Sequence, residues 1–243
     1  MIEKVEGVVI GERSYSETSK ILDVYTKDHG IIGVMSKGCK RMKSELRSVS
    51  AKLTYGYFHI FYKEGKLSNL MGVDVINPFK NIKNDIIKIS YASFLLELSG
   101  GVEKAYQSEE IYNFLISGLC KIEEGFDPVV ITNILELKYL EYLGIMPRIE
   151  GCSICGSKED IATVSSMRGG YVCKNCLTNE RKVSLKTIKL IRLFYYVDID
   201  KISKLEIGNT EKREINDFLD EYYDSYAGLY LKSKSFLRNL GKI

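Results

Sequence analysis

Four of the six cysteines, Cys152, Cys155, Cys173 and Cys176, form two Cys-x2-Cys pairs with 17 residues between them. Two residues between cysteines make a knuckle that aims both sulfurs at one point. Four thiolates then complete the tetrahedron zinc prefers, with sulfur about 2.3 Å from the metal. Gly156 follows the first pair and Gly169-Gly170 precedes the second, which eases tight turns. Four protein sulfurs close the coordination shell, whereas a catalytic zinc keeps an open position. The expectation is therefore one structural Zn2+. A thioredoxin-like redox site needs a single Cys-x-x-Cys at a helix start, not two matched pairs. Cys39 and Cys120 stand apart. Cys39 occupies a slot suited to a small residue, and Cys120 falls on the apolar face of a helical segment.

A second chemistry is carried by cations. Between positions 37 and 52 lie Lys37, Lys40, Arg41, Lys43, Arg47 and Lys52, against Glu45 alone. Such a run is either a solvated loop or a surface that tracks phosphates, with Gly38 allowing close approach. Just downstream, Tyr55, Tyr57, His59 and Phe61 alternate with Phe58, Ile60 and Tyr62. One face of that strand must be core, and Tyr57 is the candidate stacking residue on the other. His29 reads as a turn residue and His59 as a strand residue.

Catalytic signatures are missing. The chain has no GxxxxGK[ST] loop, GxSxG elbow, HExxH pair or Gly-rich dinucleotide fingerprint. Glu109-Glu110 and Asp198-x-Asp200 sit in helix-start or turn contexts. The reading is of a protein that is not an enzyme.

Five β-rich runs precede residue 77: Val5–Ile10, Ile21–Thr26, Ile31–Ser36, Leu53–Tyr62 and Leu67–Ile76. Short strands with Gly-marked turns predict a small barrel or sandwich. After Asn77-Pro78 the period changes. Apolar residues from Phe79 to Leu98 repeat at helical spacing up to Gly100-Gly101. A second helix opens at Ser108, with Glu109 and Glu110 suited to its positive end. A third has Asp127 as cap and Pro128 at its first position. Helical periodicity resumes at Ser184, and a last helical region covers about 211–240.

The 243 residues carry a net charge of +3. Residues 1–80 hold +4, residues 81–150 −5 and residues 151–243 +4. A near-neutral total with one concentrated basic stretch points to a single charged surface rather than a polycationic coat. No apolar run approaches the roughly 18 residues of a membrane span, and the first residues lack a signal-peptide apolar stretch. Clustered cysteine pairs fit a reducing compartment. The expectation is a cytoplasmic protein with no membrane contact.

In order along the chain, the motifs resemble the bacterial RecO family of recombination and repair proteins. The resemblance covers essentially the whole length. It rests on Gly7-Val8-Val9, Ser16-Glu17-Thr18-Ser19-Lys20, Tyr25-Thr26, Gly30, Ser36-Lys37-Gly38, Lys43-Ser44, Leu143-Gly144-Ile145-Met146-Pro147, the four cysteines, and Leu231 to Leu237. It implies an α+β multidomain chain: a five-stranded OB-fold DNA-binding barrel over 1–78, then an α-helical domain over 79–243 with the zinc motif inserted at about 150–182. It further implies binding to single- and double-stranded DNA, strand annealing, and action with RecR to help RecA displace single-strand-binding protein, without nucleotide hydrolysis. A nucleoid-associated location follows. The family's DNA surface maps here onto Lys37, Lys40, Arg41 and Lys43, with Arg13 and Lys20. The acidic, apolar tail of single-strand-binding protein needs a cation beside an apolar pocket, for which Lys232, Lys234, Phe236 and Arg238 are the candidates. Cys39 departs from the small apolar residue usual at its place.

Overall fold

The computed structural model describes residues 1–240, with side chains to 237. Five strands come first: β1 (Ile2–Ser14), β2 (Lys20–Thr26), β3 (Gly30–Ser36), β4 (Tyr55–Phe61) and β5 (Ser68–Asn77). Antiparallel ladders join β1 to β2, β2 to β3, β1 to β4 and β4 to β5. A short parallel pairing of Val34 and Met35 with Ser68 and Asn69 joins β3 to β5, so the sheet closes as β1-β2-β3-β5-β4. Inward residues at alternate positions fill it: Val5, Val9, Leu22, Val24, Val34, Phe58, Ile60 and Leu70 form one buried cluster.

Seven α-helices follow among the described residues: α1 (Lys80–Lys83), α2 (Ile86–Ala105), α3 (Glu109–Glu124), α4 (Pro128–Tyr142), α5 (Leu185–Tyr196), α6 (Asn209–Tyr226) and α7 (Lys232–Leu240). The start signals work as expected. Asp127 accepts the Val129 N–H at 2.9 Å with Pro128 at the first position, Ser184 accepts the Thr187 N–H at 3.0 Å, and Ser108 accepts the Glu110 N–H at 3.1 Å.

Three expectations about helices are corrected. The run from Phe79 is two helices, because Asp85 caps a new one by accepting the N–H groups of Ile87 and Lys88. Gly100-Gly101 does not stop it. At Gly100 a Cβ would lie 3.0 Å from Ile10 Cδ1, so this glycine lets the helix approach the barrel. The last helical region is also two helices, parted by residues 227–231 with Gly228 at φ +61°.

By contact the chain divides into two compact units: Met1–Glu124 together with the helix from Lys232, and Gly125–Leu231. The division expected at residue 78 follows the change from strands to helices, and the contact division falls elsewhere. In the first unit α2 and α3 pack on the barrel. Tyr25 donates to Glu103 on α2 at 2.7 Å, and its ring meets Tyr112 of α3 edge-on at 5.3 Å. Tyr55 donates to Glu6 at 2.7 Å. Burial first, and the Glu6 carboxylate with it, push the Tyr55 and Tyr112 hydroxyls far above their ordinary range. The second unit holds α4, α5 and α6 with a two-stranded hairpin, β6 (Ile161–Ser165) and β7 (Gly170–Cys173). No described helix is long and apolar enough to cross a membrane.

Candidate metal centre and nucleic-acid face

The metal motif is built on the β6–β7 hairpin. Cys173 ends β7 and Cys176 follows one turn later, its N–H donating to the Cys173 carbonyl at 3.1 Å. The first pair is brought alongside by backbone bonds. Cys152 N–H donates to Ser157 at 2.7 Å, Gly156 N–H to Cys152 at 2.9 Å, and Ser153 N–H to Tyr171 of β7 at 2.7 Å. Gly156 adopts φ +79°, the left-handed turn the knuckle needs. Arg148 clasps the hairpin from outside, donating to Gly169 and accepting from Tyr171. The Tyr171 hydroxyl in turn donates to the Ile188 carbonyl, which ties the motif to α5.

All four sulfurs lie within 4.8 Å of one another. The Cys155 and Cys173 sulfurs are 3.7 Å apart. A tetrahedron with arms of about 2.3 Å has edges of about 3.8 Å, so this donor set fits a metal ion. Cys152 and Cys173 are buried, Cys176 is half-buried and Cys155 is exposed. Burial by itself raises the Cys152 thiol, but N–H groups of Cys155, Cys173 and Ile154 outweigh it and bring the thiol down to about 6. Cys176 goes the other way, held up by its contact with the Cys155 thiol first and by burial second. Four sulfur donors at this spacing, with backbone N–H groups favouring the charged form at Cys152, suit a metal ion.

The basic stretch is a chain of turns between β3 and β4, not a loose loop. Arg41 N–H bonds Gly38, Ser44 N–H bonds Arg41, Arg47 N–H bonds Ser44, and Ser50 N–H bonds Leu46. Buried Cys39 and Leu53 anchor it, and Leu46 packs against the barrel core. Its first turn is laced to the β1–β2 connection. Gly38 N–H donates to Ser19 Oγ at 3.1 Å, and Lys40 Nζ donates to Ser14 Oγ at 2.9 Å and the Ser16 carbonyl at 3.0 Å.

This sorts the expected cations. Lys37, Arg41 and Lys43 are exposed, as are Arg47 and Lys52. Lys40 is half-buried and bound to the β1–β2 connection, which holds the loop. Arg13 is paired with Asp23 at 3.1 Å, and Lys20 with Glu12 at 2.9 Å. Tyr57 lies on the outer face of β4, 38 % exposed, with Lys4 Nζ 4.6 Å from its ring centre. The two histidines each meet a carboxylate, His29 with Glu3 at 3.2 Å and His59 with Asp74 at 2.9 Å. Sequence reasoning placed Tyr57, His59 and Phe61 on one face by the two-residue alternation but singled out Tyr57 alone; Phe61 is exposed and His59 half-buried.

The C-terminal candidates sit on α7, which belongs to the barrel's unit. Lys232 and Phe236 are exposed, while Lys234 is buried. The Arg238 side chain lies outside the described residues.

Two family models match this chain. "Recombination protein O N terminal" covers residues 1–79, and "Recombination protein O C terminal" covers residues 83–235. A protein named DNA repair protein RecO from Listeria innocua is 36 % identical over 245 residues, spanning 99 % of this chain and 96 % of the relative. The Bacillus pumilus protein of that name is 34 % identical over 244 residues, with 99 % and 95 % covered. That of Bacillus subtilis is 34 % identical over 241 residues, with 98 % and 94 % covered. Matched by models of both halves and by relatives along nearly its full length, the chain belongs to the RecO family.

Proposed function

We propose that this protein is a non-enzymatic recombination mediator in DNA repair. The observation that carries the reading is full-length kinship to proteins named DNA repair protein RecO, joined to a barrel with a basic stretch of exposed cations. Lys37, Arg41 and Lys43 contact phosphates of single- and double-stranded DNA, Lys40 holds the loop that presents them, and Arg13 and Lys20 border the same surface. The barrel acts as an OB-fold, and residues 1–78 are its DNA-binding domain. Bound strands are annealed. With RecR, the protein assists RecA loading onto DNA coated with single-strand-binding protein.

The cysteine site holds one structural Zn2+ through Cys152, Cys155, Cys173 and Cys176. The metal supplies folding energy to the hairpin and performs no chemistry on substrate. The tail of single-strand-binding protein meets α7, with Lys232 as the exposed cation and Phe236 as the apolar contact. The buried Lys234 serves as packing there.

A second reading is a zinc-stabilised interaction scaffold without DNA contact, favoured by the net −5 of residues 81–150. Gel-shift and strand-annealing assays across a salt series separate the two. Phosphate binding weakens linearly on a log–log scale with salt. Charge reversal of Lys37, Lys40, Arg41 and Lys43 to Glu is expected to abolish most single-strand affinity. Unchanged affinity in that variant defeats the loop assignment and favours the scaffold.

A further inference from the structure

We propose that Tyr57, His59 and Phe61 on the outer face of β4 form a stacking platform for successive bases of an unpaired strand. This rests on the DNA-binding reading and adds to it a second kind of contact, at a place separate from the basic turns.

The face follows from register. Residues 55, 57, 59 and 61 point outward, while Phe58 and Ile60 are fully buried in the barrel. Tyr55 is closed off, stacked on Phe79 at 5.9 Å and bonded to Glu6. The other three remain open: Tyr57 is 38 % exposed, the His59 side chain 37 % and Phe61 45 %. On the β1 side the flexible Lys4 side chain stands over the Tyr57 ring at 4.6 Å, and on the β5 side the place opposite His59 is open. Gly72 of β5 pairs with His59, and a Cβ built there meets nothing within 4 Å. On β1, Lys4 pairs with His59 and Ile2 with Phe61. Ile2 and Met71 extend the apolar surface, both more than half exposed.

Spacing selects the ligand. Alternate residues of a strand lie about 6.7 Å apart. That is twice the roughly 3.4 Å per nucleotide of one strand in a duplex. Neighbouring rings can therefore take successive bases only from a stretched, unstacked strand, and paired DNA cannot use them. Aromatic stacking tolerates any base, because every base offers a π face. Charge does not forbid it. Two acids flank Tyr57: Asp74 is matched by Lys4 at 3.1 Å and by His59, and Glu6 is engaged by the Tyr55 and Tyr112 hydroxyls. Lys63 and Lys66 are exposed in the turn that follows Phe61. Lone exposed apolar side chains need no explanation, but rings in register around an open glycine do.

Fluorescence anisotropy on the full chain tests this, with an oligothymidylate, an abasic oligonucleotide of equal length and a duplex. The abasic strand keeps the phosphates and lacks the rings. The variants are Tyr57→Leu, Phe61→Leu and Gly72→Val, the last placing a side chain where a Cβ meets nothing within 4 Å. Wild type is expected to prefer thymidylate over the abasic strand. Each variant should lose roughly tenfold on thymidylate and nothing on the abasic strand or the duplex. Charge reversal of Lys37, Arg41 and Lys43 should weaken all three ligands alike. Platform variants that bind thymidylate like wild type overturn the proposal and leave the phosphate reading standing. So does a wild type with no preference for bases, or a set of variants that lose only binding to a protein partner. Wild type that binds no DNA at all removes both.

Discussion

The carboxylate of Glu97 on α2 caps α7 at Ser233, a residue 136 positions later in the chain. It accepts the Ser233 N–H at 2.9 Å and the Lys232 N–H at 3.0 Å, and the Ser233 hydroxyl closes on it as well. These are orphan donors at a helix start, satisfied by a distant acid instead of a local cap. Burial by itself raises the Glu97 carboxyl. The Ser233 side chain and the backbone N–H groups of Ser233 and Lys232 outweigh it, so its pKa is lowered in the fold.

The consequence is a pH-dependent hold on α7. A carboxyl whose folded pKa lies below its unfolded value contributes stability that is complete above the unfolded value, about 4.3 for Glu. That stability is lost as pH falls through the folded value. Glu97→Gln should remove this acid dependence, and Glu97→Ala should cost about 1–2 kcal/mol through the lost cap. Thermal unfolding from pH 7 to pH 3 measures both. Equal acid slopes in wild type and Glu97→Gln would refute the assignment.

Metal removal should act on the second unit alone. Protein purified in the absence of added metal should carry one equivalent of zinc, and a strong chelator should unfold the β6–β7 hairpin. Hydrogen exchange would then rise from Cys152 to Cys176 while the barrel strands keep their protection. Loss of barrel protection on chelation would contradict a purely local role. Serine at any one of the four cysteines should weaken retention of the metal, read by release to a colorimetric chelator.

The basic turns predict a division between two lysines that sequence cannot tell apart. Lys40 holds Ser14 and Ser16, whereas Lys37 faces solvent. Lys37→Ala should leave thermal stability unchanged and reduce the salt slope of DNA binding by about 0.7–0.9, one phosphate contact. Lys40→Ala should instead loosen the loop, lowering protection of the Gly38 and Lys40 amides, with a destabilisation of about 1 kcal/mol. Identical behaviour of the two variants would rule out the sorting.

Much of this was legible in the chain, for physical reasons that also mark where legibility ends. The two Cys-x2-Cys knuckles are local geometry and could be read directly. The strands were readable from β-rich runs, but closure depends on Val34 and Met35 meeting Ser68 and Asn69, a pairing of distant segments with no local signature. The β6–β7 hairpin was missed because strands of five and four residues are too short for an alternation to stand out. The break at Asp85 was hidden because Ile82, Ile86 and Ile89 keep helical spacing across it. Gly100-Gly101 reads as a stop, yet a buried helix uses Gly100 for close approach to Ile10. Lys234 looks like any surface lysine until α7 is docked. Which of the β4 aromatics face outward was readable in pairs. That Tyr55 alone of the outward residues is covered was not, because Phe79 reaches Tyr55 only through the fold.

The hairpin's sharpest constraint is at Gly170. Its φ is +146°, a conformation that L side chains rarely adopt, and a Cβ there would stand 2.2 Å from the Arg148 carbonyl oxygen and 2.6 Å from the Arg148 nitrogen. Both are backbone atoms, so nothing flexible can give way. Arg148 is also the residue whose bonds to Gly169 and Tyr171 clasp the hairpin, and Tyr171 supports the Ser153 N–H beside the first cysteine pair. Gly170→Ala should therefore push Arg148 off the strand and disturb both cysteine pairs, at a cost of about 2 kcal/mol or more. Neighbouring Gly169 also has positive φ, +70°, but open space around its Cβ position, so Gly169→Ala should cost only about 1 kcal/mol. Urea unfolding of both variants, with zinc content measured on the same samples, makes the comparison. Reduced zinc retention in Gly170→Ala with near-normal retention in Gly169→Ala is the expected pattern. Equal retention would mean that the Arg148 clasp does not support the metal motif.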